Sequence, residues 1–188
     1  MPVAATNVIK LYAVDRPVAA EECIDQTSTE GWFPLKISSS PEWGIYQGPY
    51  GAGETVAFTV KNNCPAGNLP WTIEFDFYRF DSWDGELFKV TVNGVNLISE
   101  QFCWGESFRN PGIFGNTAVV DGYSVSYIFN SGWQAPVQAN GIGWTDERFS
   151  VVITVPHGIQ EIELSLWSTL GEDLNNESWG IGNFAIRN

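Results

Sequence analysis

The chain has 188 residues, enough for one sizeable domain, and 14% of them are aromatic, ample to fill its core. Twenty-two acidic residues against nine Lys and Arg give a net charge of −13, which argues against nucleic acid or an anionic membrane as partner, because phosphate contacts are made by Lys and Arg. Such acidity either serves solubility alone or draws divalent cations, and no apolar run approaches the roughly 18 residues of a membrane span.

Along the chain, residues 7–15 (NVIKLYAVD) predict an opening strand, while 16–54 reads as irregular, with PEWGIYQGPYGAGE as a loop of turns. Val56, Phe58 and Val60 alternate with polar neighbours and predict a strand. Trp71, Ile73, Phe75 and Phe77 repeat that period of two, as do Phe88, Val90 and Val92, so each segment buries one face. These two segments predict a β-meander whose first turn is Asp81-Ser82-Trp83-Asp84-Gly85-Glu86, followed by a tight Asn93-Gly94 turn that needs positive φ. Residues 103–122 form an aromatic, Gly-rich excursion, and Tyr123–Phe129 alternate again. After a second loop at 130–146, Phe149–Val155 predict a strand that stops at Pro156-His157-Gly158, with Ile162, Leu164 and Leu166 in its partner. WGIGNFAI closes the chain. No stretch keeps a helical period over three turns, so about eight or more strands predict a single all-β domain over 1–188, an antiparallel sandwich or jelly roll.

Two acidic motifs carry the chemistry. A hard cation such as Ca2+ takes six to eight oxygens, which loop carboxylates supply flexibly. Asp81, Asp84 and Glu86 surround a Gly that lets the chain fold back, and Asp173 and Glu177 lie in the second run, Glu172-Asp173-Leu174-Asn175-Asn176-Glu177. In a sandwich the closing strand pairs near a central hairpin, so the two motifs can share one calcium ion. The plain alternative is an Asp-x-x-Asp-Gly turn whose carboxylates accept backbone N–H bonds. Trp83 and Trp179 read as packing lids over these turns.

DSWDGE at 81–86, paired with ITVPHG…IELSLWSTLGEDLNNESWGIGNFAI at 153–186, resembles a family of extracellular β-sandwich modules of aquatic microbes with concanavalin- or laminin-G-like character. The resemblance covers Trp71 to the end and implies a non-catalytic module of secreted or surface proteins. Gly171, Asn176 and Gly182 stand where that family tends to have Asp, which weakens any metal site carried over from it.

Catalysis finds little support. His157 is the one histidine, it sits in a Pro-His-Gly turn, and no nucleophile elbow accompanies it. Glu74 with Asp76 and Glu161 with Glu163 are pairs of the kind that exposed strand faces carry routinely. Trp104, Trp133 and Trp144 fall in loops, where aromatic faces either stack on sugar rings, with Phe108, Phe114, Asn110 and Asn116 nearby, or simply cap the sandwich. The expected function is a non-enzymatic, calcium-binding structural or adhesive module on a cell, filament or virion surface, with neighbouring subunits of a homo-oligomer or larger assembly as partners. The alternative is a carbohydrate-binding module that uses those tryptophans on surface glycans.

The location is therefore expected to be extracellular or on a virion surface, although MPVAATNVIKLYAV lacks the cationic start and long apolar stretch of a signal peptide. Cys23, Cys64 and Cys103 lack zinc-ligand spacing, and Cys64 with Cys103 is the expected pair if a disulfide forms.

Overall fold

The computed structural model describes residues 8–10, 34–41, 43–61, 70–103, 117–129 and 146–187. Their elements are β1 (Val8–Lys10), β2 (Ile37–Ser40), β3 (Gly44–Tyr50), β4 (Thr55–Lys61), β5 (Thr72–Asp81), β6 (Asp84–Val92), β7 (Val95–Cys103), β8 (Thr117–Val120), β9 (Tyr123–Phe129), β10 (Glu147–Thr154), β11 (Glu161–Ser168) and β12 (Glu177–Arg187). They form two antiparallel sheets, so the protein is an all-β sandwich, and among the described residues no helix is long and apolar enough to cross a membrane. The larger sheet runs β2-β3-β12-β5-β10-β9-β8, with β1 also paired to β12, and the smaller runs β4-β11-β6-β7.

Alternation builds the core. In the smaller sheet Leu164 lies between Phe58 and Val92, and Leu166 between Val56 and Val90, so each register position lays a row of apolar side chains across the strands. In the larger sheet Ile153 lies between Ile73 and Val125 in the same way. All of these are buried in one continuous cluster. Aromatic rings close the gap between the sheets. Phe77 of β5 stacks on Phe88 of β6 at 3.8 Å between centroids, and Phe88 meets Trp179 of β12 edge-on at 5.5 Å. Offset and edge-on pairs of this kind add about 0.5–1.5 kcal/mol each beyond the area they bury.

The larger sheet is buried on its outer face too. Tyr46, Tyr78 and Phe80 pack there with Trp43, whose ring stacks on Tyr78 at 4.6 Å. Tyr78 reaches its place because β12 carries Gly182, where an added Cβ would overlap the Tyr78 hydroxyl and ring.

Several connections differ from the sequence reading. The expected meander across DSWDGE does not form: β5 pairs with β10 and β12, whereas β6 pairs with β11 and β7 in the other sheet. Ser82 and Trp83 therefore carry the chain from one sheet to the other. Likewise β11 is not the partner of β10, and residues 155–160 make a second crossing. The period of two reveals which side chains face inward, but an inward face is the same whether the next strand lies beside or opposite. Three hairpins remain among the described residues: β2–β3 across 41–43, and β6–β7 through Asn93-Gly94 and β8–β9 through Asp121-Gly122, the last two with positive φ at both turn residues.

The region expected to be loops at PEWGIYQGPYGAGE holds β3, with β2 before it. Its Gly and Pro residues read as turns, yet β3 makes only a short, shifted pairing with β12, which tolerates them. Phe75 and Phe77 are both core residues as expected, at 2% and 1% exposure, with Val151 and Phe149 beside them on β10 rather than across the sandwich. Truncation of Phe75 to Ala is expected to cost about 3–5 kcal/mol in urea unfolding; a loss under about 1 kcal/mol would place this side chain outside the core.

Candidate metal centre

Three strand ends meet where β5 stops, β6 starts and β12 starts. Asp81 and Glu177 are direct partners in the β5–β12 register, on neighbouring strands of the larger sheet. Asp84 opens β6 with only Ser82 and Trp83 between it and the end of β5, and Glu86 follows it on the same strand. Asp84, Glu86 and Glu177 each place one carboxylate oxygen within 4.8 Å of the others. The crossing holds them there. Trp83 is fully buried against Phe77 and Phe102, and its Nε1 donates to the Ser178 carbonyl at 3.0 Å. Trp179 is equally buried, so both tryptophans are core residues that anchor the motifs from beneath.

The site is asymmetric in solvent access. Asp84 is exposed and Glu86 half-buried, while Glu177 and Asp81 are 3% and 2% exposed. Glu86 Oε2 accepts the N–H groups of Asp84 and Gly85 at 2.7 and 3.1 Å, which folds the turn tightly. Oε2 of Glu177 is buried with no hydrogen-bond partner among the described residues, and the two buried carboxylate oxygens of Asp81 have no well-aligned donor, with only the adjacent Ser82 drawing on them. An unsatisfied buried polar group costs about 1–3 kcal/mol, more when charged, and like charges directly opposite across a strand pair add repulsion.

Protonation responds as this geometry requires. Burial pushes the Glu177 carboxyl up to about 7, assisted by the negative charges of Glu86, Glu172, Asp84 and Asp81. Burial also raises Asp81, against the opposing pull of Ser82 and the Arg79 guanidinium, and raises Glu86 beside Asp84. Two unit charges 4.8 Å apart repel by about 3 kcal/mol at an effective dielectric of about 20. Either protons or a cation must relieve the cluster.

Of the residues expected to bind metal, Asp84, Glu86 and Glu177 come together, and Asp81 adjoins them through its register with Glu177. Asp173 sits elsewhere, on an exposed turn. Its Oδ1 accepts the Asn175 N–H at 2.9 Å, and its carbonyl accepts those of Asn176 and Glu177 at 2.9 and 3.1 Å, so it shapes the turn that delivers Glu177. Trp104, Trp133 and Trp144 lie outside the described residues, as do Cys23 and Cys64. Cys103 is a free thiol opposite Asp84 in the β6–β7 register, so the expected Cys64–Cys103 bridge is not formed. His157 lies on the exposed turn after β10, at the other end of β5 from Asp81.

Arg79, Asp146 and Glu147, buried beside Asp81, were not foreseen. The last two lie 65 and more residues from Asp81 in sequence, and no local motif joins them. The one signal in the chain is a guanidinium at an inward position of an otherwise apolar strand face.

No family model matches the chain, and no curated protein matches it in sequence. Among solved structures it is similar to the C-terminal CBM6 of LamC, a marine laminarinase from Zobellia galactanivorans, with a TM-score of 0.40 and 14% identity over 98% of this chain and 100% of that one. A likeness so slight carries no inference about ligand or activity.

The raised Glu177 sets a pH dependence for the cation-free protein. Between its ordinary value of 4.5 and about 7, folded Glu177 binds a proton that the unfolded chain has lost. Its contribution to stability is therefore lost as pH rises through that window. In chelator, the melting temperature of Glu177→Gln relative to the parent is expected to climb from pH 5 to pH 7.5. A constant difference would mean that Glu177 titrates normally.

Proposed function

We propose that this protein is a non-catalytic β-sandwich module that binds calcium through Asp81, Asp84, Glu86 and Glu177, and that the ion ties its two sheets together on an exterior surface. The observation that carries this reading is the buried Glu177 carboxylate, whose Oε2 has no hydrogen-bond partner among the described residues, set within reach of Asp84 and Glu86 and opposite the buried Asp81. Asp81 and Glu177 come from the larger sheet and Asp84 and Glu86 from the smaller, so a shared ion spans the sandwich.

The donor set favours calcium over other metals. Every candidate ligand is a carboxylate, and the mixture of buried and exposed groups suits the irregular coordination that calcium accepts and magnesium resists. Zinc favours thiolate and imidazole ligands. Here burial and the Glu86 and Asp84 charges raise the Cys103 thiol, which keeps it protonated, and His157 is at the far end of β5. A site with open sides also suits the loose affinities, about 10⁻⁴–10⁻³ M, of extracellular calcium modules. The resemblance of DSWDGE and ESWGI to surface modules points the same way. Glycoside hydrolysis needs two carboxylates that both reach substrate, whereas Asp81 and Glu177 are sealed from solvent.

Calcium that binds only the folded state adds about 2.7 kcal/mol at a hundredfold excess over Kd. For a chain of this size that corresponds to a rise in melting temperature of about 5–10 °C. Thermal melts in chelator are expected to fall by that amount, with millimolar calcium restoring the loss, magnesium restoring little, and Asp81→Asn abolishing the response. Superimposable curves in chelator and calcium would overturn the proposal and leave a charged crossover.

A further inference from the structure

The Asp81 peptide is held from both sides. Its N–H donates to Asp146 Oδ1 at 3.1 Å, and its carbonyl accepts from Arg79 Nη1 at 2.6 Å. Arg79 is itself held by Glu147, whose Oε2 accepts from its Nε at 2.9 Å. All three clamping residues are buried, at 1–8% exposure. Between these contacts Asp81 adopts φ +68, a left-handed conformation that costs a residue other than Gly about 1 kcal/mol or more. Gly would take that conformation more cheaply. Asp is present instead, and its buried carboxylate gains no well-aligned hydrogen bond among the described residues beyond the pull of the adjacent Ser82. A clamp on the backbone combined with an unsatisfied carboxylate is an arrangement that serves something the carboxylate binds.

From this geometry we infer that Asp146, together with the Arg79–Glu147 pair, is the positioning shell of the cation site: it fixes the Asp81 backbone beside Glu177, so that only the Asp81 side chain has to turn for its carboxylate to join Asp84, Glu86 and Glu177 on the ion. The inference rests on the calcium reading above. Arg79 has a second role at the same point, since its guanidinium sits beside the acids and its pairing with Glu147 leaves that positive charge neutralised rather than opposed to an arriving cation. Partners of this kind around a metal ligand are worth about ten- to a hundredfold in affinity.

The test uses two neutral variants of the full-length protein, Asp146→Asn and Asp146→Gln. Asn keeps an oxygen where Oδ1 accepts the Asp81 N–H, whereas Gln carries the same amide one methylene too far. Calcium titrated into each by calorimetry is expected to bind Asp146→Asn within about threefold of the parent and Asp146→Gln at least tenfold more weakly, with calcium-free melting temperatures of the two variants close to each other. Equal weakening of both would mean that only the charge of Asp146 matters, and parent-like binding by both would mean that Asp146 does not position Asp81; either result overturns the inference. A parent protein that shows no calcium heat and no calcium shift in melting overturns the calcium reading itself and this inference with it. If Asp146→Gln does not fold, amide exchange in the parent decides: a protected Asp81 N–H in chelator supports a preformed clamp, and an Asp81 N–H that exchanges freely until calcium is added overturns it.

Discussion

Two carboxylates that face one another across adjacent central strands, both closed to water, are the constraint on which this structure turns. Asp81 and Glu177 occupy that position in β5 and β12. A surface pair of acids relaxes by moving apart into solvent. These cannot, because each strand is pinned by a large ring next to its acid, Trp83 after Asp81 and Trp179 after Glu177, both fully buried. The energy of packing those rings therefore sustains a local repulsion that the acids alone would not tolerate. Such a conflict between core packing and charge typically marks a site where function, not stability, selected the residues.

The two-sheet crossing is how the fold brings the acids together. A meander would have placed Asp81 and Asp84 on paired strands of one sheet and left Glu177 to another element. Instead the chain passes from β5 to β6 through Ser82 and Trp83, and from β11 to β12 through 169–176, at the same end of the sandwich. Ser82 and Asn176 even meet across the two crossings, Oγ to Oδ1 at 3.4 Å, and Thr169 pairs with Leu87 through both its N–H and its hydroxyl. The acidic cluster thus sits on the seam between sheets, and the aromatic interlock of Phe77, Phe88 and Trp179 lies just inside it.

The parts legible in the sequence were those carried by local chemistry. Alternation at Ile73–Phe77, Val56–Val60 and Ile162–Leu166 marked the strands and their inner faces, and Asn93-Gly94 marked its hairpin. Oxygen-rich motifs marked the grouping of Asp84, Glu86 and Glu177, because acids close together about a Gly turn stay close in space. What stayed hidden depends on contacts between distant residues. Strand partnership was misread at both crossings, since pairing within a sheet and packing between sheets bury the same side chains. β3 was obscured by the Gly and Pro that its short, shifted pairing with β12 permits. Asp173 looked equivalent to Glu177 in the second motif, yet a turn gave it backbone partners instead. Arg79, Asp146 and Glu147 carry no motif at all and become visible only once β10 lies beside β5.

The central claim is that a calcium ion resolves the charge conflict at Asp81 and Glu177. Crystals grown with calcium, measured at a wavelength where calcium scatters anomalously, test it most directly. The account predicts a single strong peak at the seam, about 2.3–2.6 Å from oxygens of Asp81, Glu177 and at least one of Asp84 and Glu86. A map without such a peak, with the Asp81 and Glu177 oxygens instead satisfied by each other, by water or by protein donors, would contradict it.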